Sequence, residues 1–110
     1  MKIVSLKLNA DFRRAYARGK SYANPALVTY VVKNRAGLCR IGITTGKKIG
    51  NAVERNRARR VIRAAAERLP EIDANVDLVF VARAKTPRKK STEIYAVMKK
   101  QLTAAGVIHE

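Results

Sequence analysis

The residues best suited to chemistry are arginines, and the chemistry they indicate is phosphate binding. Five arginines fall within nine residues, from Arg55 to Arg63, in the stretch GNAVERNRARRVIRAA that begins at Gly50. A guanidinium is a planar fork that grips two phosphate oxygens and stacks on bases. Runs this dense usually belong to disordered tails, but apolar residues are interleaved here, which predicts a folded helix.

On a helical wheel, the charge of this stretch is sorted to one side. The apolar arc consists of Ala58, Val61, Ile62, Ala65 and Leu69, with Val53 also expected on the buried side. The opposite arc holds Asn56, Arg59, Arg60 and Arg63, and Arg55, Arg57 and Arg68 flank the two. Solvated helix faces usually mix charges of both signs, whereas Glu67 is the only carboxylate on this arc. We therefore predict a phosphate-binding ridge, extended upstream by Lys47 and Lys48.

No catalytic group accompanies the basic surface. The stretch GITTGKKIG, from Gly42, lacks the spacing of a phosphate-binding P-loop. His109 is the only histidine, which excludes a two-histidine ribonuclease site. Glu71, Asp73 and Asp77 lie close in sequence, but turn chemistry and solubility explain them better than a metal site does. We predict that the protein alone has no catalytic residues and binds no metal or cofactor.

The composition fits one folded domain over residues 1–110. Hydrophobic residues make up 47% of the chain, enough for a core, and the formal net charge of +16 indicates a polyanionic partner, nucleic acid or an anionic membrane surface. The only cysteine, Cys39, cannot form an internal disulfide and is expected to be a packing residue. The amino terminus has too short an apolar stretch for a signal peptide, so we expect a cytoplasmic protein.

Three helices are predicted from capping residues and apolar spacing. The first is capped by Asn9 and stops at Gly19, the arginine helix is capped by Asn51 with Glu54 and ends near Leu69, and the third is capped by Ser91 and ends before Gly106.

The strands are predicted from β-branched and apolar runs. ALVTYVV (Ala26 to Val32) and RIGITT (Arg40 to Thr45) should form an antiparallel hairpin, VDLVFVA (Val76 to Ala82) should be buried on both faces, and Ser21 and Tyr22 give a weak signal for one more short strand. The order is then α-β-β-β-α-β-α. We predict an α/β (α+β) fold, with a small, mostly antiparallel four-stranded sheet packed with three helices.

The stretch RIGITTGKKIGNAVERNRARRVIRAA closely resembles the signature of the bacterial ribonuclease P protein component. NADFRRAYARG before it and DLVFVARAKT after it also match, in the right order, so that the resemblance runs from Leu6 to Leu102. Thr45 and Gly46 replace the Val and Ser common before the paired lysines, and the segment before Asn9 is less basic than in many members. The resemblance implies a left-handed crossover between two parallel strands, against the usual rule.

The resemblance also implies a function: the accessory subunit of a ribonucleoprotein endonuclease whose RNA subunit, with bound magnesium, removes the 5′ leader from precursor transfer RNA. It implies that the catalytic RNA is faced by Lys47, Lys48, Arg55, Asn56, Arg57, Arg59, Arg60 and Arg63. It implies that Phe12, Tyr16, Val28 and Tyr30 line the cleft for the single-stranded leader. Arg13 adds positive charge beside these aromatic residues, and we include it in the leader site. No membrane and no obligate protein partner is expected.

Three alternatives remain open at this point. A ribosomal or other structural RNA-binding protein fits the charge and size equally well, and only the specific motif separates it. A stand-alone nuclease is disfavoured because no acid–base pair is visible. A membrane-surface role is weaker still, because the arginine helix exposes no broad apolar face.

Overall fold

All three predicted helices and all four predicted strands are present in the computed structural model, which describes residues 1–109. The elements are α1 (Asn9–Arg18), β1 (Lys20–Asn24), β2 (Leu27–Lys33), β3 (Arg40–Thr44), α2 (Ala52–Glu67), β4 (Val76–Ala82) and α3 (Ser91–Ala104). Two short 3₁₀ turns, Lys47–Ile49 and Thr86–Arg88, precede α2 and α3.

The predicted helix starts are right for one helix and shifted by a residue for the other two. The Asn51 side chain accepts a hydrogen bond from the backbone N–H of Glu54 at 3.0 Å, as predicted for the start of α2. The predicted caps Asn9 and Ser91 are wrong, because each is the first residue inside its helix and makes no capping hydrogen bond. In front of α3 the carboxylate of Glu93 accepts a backbone N–H instead.

The strand order is β1-β2-β4-β3, and it corrects the predicted hairpin. β2 pairs with β1 and β4, both antiparallel, whereas β3 pairs in parallel with β4 and does not touch β2. β4 has a strand on each edge, β2 and β3, and it is buried along nearly its whole length because helices cover both faces of the sheet. The parallel strands β3 and β4 are connected through α2. The left-handedness of this crossover stays a prediction.

The helices lie on opposite faces of the sheet. One face carries α2 and α3 over the larger core, in which Leu27, Ile62, Phe80 and Met98 are fully buried. The other face carries α1 over a smaller core around Ala15 and Val79. Because one helix covers less area than two, part of the α1 face stays open.

A buried polar contact fixes α3 to the larger face. The Gln101 side chain donates to the backbone carbonyls of Tyr22 and Leu27 at 2.8 and 2.9 Å, and it accepts from the Thr29 hydroxyl at 2.6 Å. Every polar atom of the amide therefore has a partner, which makes its burial tolerable and sets the register of α3 on the sheet.

Candidate nucleic-acid interface

The α2 helix presents the predicted ridge, which we call the arginine ridge: Asn56, Arg59, Arg60 and Arg63. All four residues are exposed, while Ala58, Ile62 and Ala65 are buried on the opposite side of α2. The one error on the apolar side is Val53, which is 73% exposed because burial on α2 begins only at Ala58, more than a turn further on. The separation of charge and apolar surface on this helix is confirmed.

Arg59 of α2 and Arg68, the residue that follows the helix, each contact another group of the protein. Arg59 donates through its two terminal nitrogens to the Ile43 carbonyl at 3.1 Å and the Thr45 hydroxyl at 3.0 Å, which ties α2 to the end of β3. Arg68 lies over the Tyr95 ring of α3, 5.5 Å from its centroid, a cation–π contact. Arg60 and Arg63 are exposed and have no ion-pair partner among residues 1–109.

Lys47 and Lys48 lie in the 3₁₀ turn in front of α2 and are exposed. The next residue, Ile49, is buried and anchors the turn to the core. Gly50 has φ 138°, a backbone conformation that favours glycine, and connects this turn to the helix cap. The two lysines therefore sit at the amino-terminal end of α2, as expected from the sequence.

The second candidate surface lies on the α1 face, where residues of neighbouring strands form rows across the sheet. The row that we call the open row is Ala23, Val28, Val81 and Thr44, which are consecutive register partners on β1, β2, β4 and β3. Ala23 is exposed and the other three are half-buried, because α1 does not extend over this end of the sheet. The next row contains Tyr30, Val79 and Gly42 and lies under α1.

Aromatic side chains of α1 and β2 meet beside the open row. The Tyr16 and Tyr30 rings are in edge-to-face contact, with centroids 5.1 Å apart and an interplanar angle of 81°. Tyr16 is 43% exposed and Tyr30 is half-buried, so both offer surface to a ligand. We call the open row together with Phe12, Arg13, Tyr16 and Tyr30 the α1 cleft.

Phe12 reaches further across the sheet, to β3. A Cβ atom on Gly42 would lie 2.5 Å from Cε1 of Phe12, so the ring rests directly on the glycine backbone. Phe12 is half-buried, which makes it both a core residue and a wall of the α1 cleft. Arg13 is exposed, three residues before Tyr16 and thus on the same side of α1.

The orientation of α1 depends on the carboxylate of Asp77, for which the explanation by turn chemistry and solubility is wrong because the side chain is buried. Asp77 is fully buried on β4 and accepts hydrogen bonds from Arg14 at 2.8 Å, from Asn34 at 2.7 Å, and from Arg40 at 2.8 and 2.9 Å. Asp11 joins the edge of the network, 3.6 Å from Arg40. Asp77 therefore anchors α1 and the loop after β2 to the centre of the sheet.

The Asp77 network is electrostatically favourable despite its burial. Burial alone would raise the pKa of the Asp77 carboxyl, but hydrogen bonds from Arg40, Asn34 and Arg14 outweigh it and hold that pKa below its ordinary value of 3.8. The same contact raises the pKa of Arg40. Asp77 is therefore ionised at neutral pH, and its acceptor oxygens are fully used by the protein.

The described residues offer no alternative centre for chemistry. Residues 1–109 contain no group of three or more His, Cys, Asp or Glu side chains placed to hold a metal ion. Burial raises the pKa of the Cys39 thiol to about 11, with smaller contributions from the charges of Asp77 and Glu71, so it is protonated at neutral pH and is not an activated nucleophile. Within the same part of the chain, no helix has the length and apolar character needed to span a membrane.

Sequence reasoning found the arginine ridge but missed three of the eight residues of the α1 cleft. Ala23, Thr44 and Val81 were not predicted, because their positions depend on the strand order. The burial of Asp77 did leave a signal: an acidic residue inside a strand otherwise made of apolar residues needs a cationic partner if it is buried.

Comparison with known proteins matches almost the whole chain to one family. The family model described as "Ribonuclease P" matches residues 1–106. The ribonuclease P protein component of Clostridium botulinum (strain Loch Maree / Type A3) is 38% identical over 109 residues, covering 97% of this chain and 98% of the relative.

Two solved structures from Staphylococcus aureus are similar over almost the whole chain. Its RNase P protein has a TM-score of 0.80 and 35% identity, covering 96% of this chain and 98% of the other. An RNase P protein mutant described as having defective mRNA degradation activity has a TM-score of 0.83 and 33% identity, covering 94% and 89%. The α+β fold is thus shared with these proteins.

Proposed function

The chain belongs to the ribonuclease P protein family, and on that premise we propose that its two surfaces hold two RNAs. The arginine ridge, with Lys47, Lys48, Arg55 and Arg57, binds the catalytic RNA. The α1 cleft binds the single-stranded 5′ leader of precursor transfer RNA. The protein is the accessory subunit of an endoribonuclease, and the alternative of a ribosomal or other structural RNA-binding protein is not favoured.

The charge on α2 supports the assignment of the catalytic RNA. Arg60 and Arg63 are exposed without ion-pair partners among residues 1–109, so their guanidinium donors are free for phosphate oxygens. A rigid helix holds these donors in a fixed spacing. Such an array suits the phosphate backbone of a structured RNA, where position rather than base identity is recognised.

The chemistry of the α1 cleft supports the assignment of a single strand. Its surface consists of two tyrosine rings, one phenylalanine ring and small or β-branched residues, with Arg13 alongside. Aromatic rings stack on any base, and a nearby cation follows the backbone. This combination binds a leader of variable sequence without reading it.

The observation that carries the proposal is a cavity of about 240 Å³ shared by the two surfaces. Phe12 of the cleft and Arg59 and Arg63 of the ridge line it, together with residues of β3 and of the amino-terminal segment: Ile3, Ser5, Leu6, Ile41, Gly42 and Ile43. An RNA on the ridge and a strand in the cleft would therefore meet at this point. The protein is then placed to hold the leader against the catalytic RNA.

The side chains of residues 1–109 support a division of labour between the protein and the RNA subunit. Hydrolysis is assigned to magnesium ions bound by the RNA subunit, and the protein contributes binding, orientation and charge neutralisation. We propose that it works in the cytoplasm, with no membrane, no obligate protein partner and no cofactor of its own.

Reconstitution with the cognate ribonuclease P RNA tests the accessory role. The protein should stimulate leader removal at low magnesium, because it neutralises phosphate repulsion that magnesium otherwise screens. Rigorously RNA-free protein should not cleave precursor transfer RNA. An mRNA substrate belongs in the same assay, given the activity named for the S. aureus protein. The variants His109→Ala and Asp73→Ala should retain nearly full activity, and cleavage by RNA-free protein would overturn the proposal.

Salt titration tests the arginine ridge. Replacing Arg57, Arg60 and Arg63 with Ala should reduce the slope of log K against log salt for the catalytic RNA by roughly two to three units. Arg59 is left in place because it also holds β3. The control is the variant Lys2→Ala, Arg35→Ala, Lys100→Ala, which removes three exposed cations elsewhere. Equal slopes for the two triple variants would remove the ridge from the RNA interface.

A further inference from the structure

The most basic segment outside α2 is the loop between β4 and α3, residues 83–90, which we call the basic loop. Five of its eight residues are cations: Arg83, Lys85, Arg88, Lys89 and Lys90. Four of them are exposed and Lys89 is half-buried. The sequence analysis used only the first residues of this segment, in the match of DLVFVARAKT to the family, and the proposed function assigns the loop no role.

The basic loop is a built structure and not a solvated tail. Its 3₁₀ turn places Thr86 and Pro87 inside the protein, where Thr86 is fully buried. The Thr86 hydroxyl donates to the Ala26 carbonyl at 2.7 Å and accepts from the backbone N–H of Arg83 at 2.8 Å. Backbone bonds from Arg88 to Lys85 and from Lys89 to Thr86, both 3.1 Å, close the turn.

This anchor holds like charges close together, which costs free energy unless an anion compensates. Within residues 1–109 the loop's single ion pair is Lys89 with Glu93, at 3.9 Å. Arg83, Lys85, Arg88 and Lys90 have no carboxylate partner in this part of the chain. A hydrogen-bonded loop that carries four uncompensated cations indicates a polyanionic partner.

The position of the basic loop selects which RNA that partner is. β3 and β4 are parallel neighbours, so the segments that follow them leave the sheet at the same edge, and the first of these segments carries Lys47 and Lys48. The turn Thr86–Arg88 also packs against α2, which lies on the opposite face of the sheet from the α1 cleft. The loop therefore continues the basic surface of α2. Its first residue, Arg83, follows Val81 of the open row by two residues, so the loop also borders the α1 cleft, and the packing of its turn on α2 is what favours the catalytic RNA.

We propose that the basic loop is a second phosphate-binding element for the catalytic RNA, with Lys85, Arg88 and Lys90 contacting the backbone and Thr86 acting as a positioning residue. The inference rests on the proposed function, in that it takes the RNA on α2 to be the catalytic RNA. It adds a second contact point, separate in sequence, at the edge of the sheet.

The test uses the full-length protein and the cognate ribonuclease P RNA. The variant Lys85→Ala, Arg88→Ala, Lys90→Ala should lower the salt slope of binding by roughly two to three units. The control is again Lys2→Ala, Arg35→Ala, Lys100→Ala, which also removes two lysines and one arginine and therefore changes the net charge by the same amount. Thermal unfolding of each variant shows that it is folded. An unchanged slope, or an equal change in the control, would overturn the proposal.

Substitutions at Thr86 separate the effect of the loop's position on RNA binding from the effect of its charge. Thr86→Val keeps every cation but removes the two hydroxyl hydrogen bonds, so the dissociation constant should rise while the salt slope changes by less than about one unit. Thr86→Ser keeps the hydroxyl and should restore binding. If Thr86→Val bound as tightly as the unchanged protein, Thr86 would not be a positioning residue.

Comparing the ridge variant with the loop variant separates a failure of this inference from a failure of the proposed function. If the ridge variant lowers the salt slope and the loop variant does not, the loop proposal alone is wrong. If neither variant does, the assignment of the catalytic RNA to α2 fails as well. A loop variant that bound the catalytic RNA normally but bound precursor transfer RNA weakly in the assembled enzyme would assign the loop to the substrate, against the proposal.

Discussion

The arginine ridge belongs to a single helix, whereas the α1 cleft is assembled from α1 and all four strands. On the ridge, the spacing of residues along α2 alone decides which side chains share a face. In the cleft, the neighbours Val28, Val81 and Thr44 come from three strands, and β4, which lies between the other two in the sheet, follows them in sequence only after α2. The ridge should therefore tolerate changes elsewhere in the fold, while the cleft should depend on how α1 is docked.

The largest expected effect comes from breaking that docking. Asp77→Ala leaves Arg14 and Arg40 without their buried partner and should lower the free energy of unfolding by about 3–5 kcal/mol. Where the variant remains folded, it should lose affinity for the leader and keep its affinity for the catalytic RNA. Urea denaturation measures the first effect, and binding of precursor and catalytic RNA measures the second.

The exposed carboxylate Asp73 provides the control, because Asp73→Asn should change stability by less than about 0.5 kcal/mol. The dependence of the free energy of unfolding on pH, on the acid side, adds a second check. A carboxyl with a depressed pKa contributes stability above 3.8, and that contribution is lost as pH falls below 3.8 through the lower native pKa. Asp77→Ala should not show this loss of stability between neutral and acid pH. If the variant kept both the stability and the acid-dependent loss of the unchanged protein, the anchoring role would be contradicted.

A smaller effect is expected at Gly42, where Phe12 contacts the sheet. Gly42→Ala places a Cβ atom 2.5 Å from the Phe12 ring and should cost roughly 1–3 kcal/mol in stability while displacing Phe12 from the cleft. Thermal unfolding and leader binding are the measurements. Combining it with Phe12→Leu should recover part of the stability, because the smaller side chain makes room.

Gly46→Ala is the matched control for this change, because a Cβ atom there meets nothing within 4 Å and the backbone is extended. Its stability should be unchanged or slightly higher. Equal destabilisation by the two substitutions would mean that the Phe12 contact is not what requires glycine at position 42.

The smallest expected effect concerns the tyrosine pair. Tyr30→Ala should weaken binding of precursor with a leader of several nucleotides by about 1 kcal/mol, or roughly fivefold, while affinity for mature transfer RNA stays the same. The value lies at the low end for base stacking because Tyr30 is half-buried and Tyr16 already covers part of its ring. Fluorescence binding titrations with the two RNAs measure the difference.

Tyr22→Ala is a suitable comparison, because this half-buried tyrosine is paired with Thr29 on the opposite face of the sheet from the cleft. Any loss of affinity in Tyr22→Ala should be equal for precursor and mature transfer RNA. Equal losses for precursor and mature transfer RNA in Tyr30→Ala would return Tyr30 to the core and leave the cleft without its main stacking surface.

Much of the fold was predictable because it depends on short stretches. The bounds of β4 were predicted to the residue, and Asn51 was identified as the cap of α2 from four residues of sequence. The predicted hairpin between the strands at 26–32 and 40–45 was wrong, because adjacency in sequence does not determine adjacency in a sheet when a later strand is more apolar.

The helices, the strands, the sorting of charge on α2 and the family of the chain could all be predicted from the sequence. Three features needed the folded structure: β4 separates β2 from β3, Asp77 is buried against two arginines, and the open row is left uncovered. The reason is physical: helical periodicity acts between residues three or four apart, whereas pairing of distant strands depends on the burial of the whole sheet.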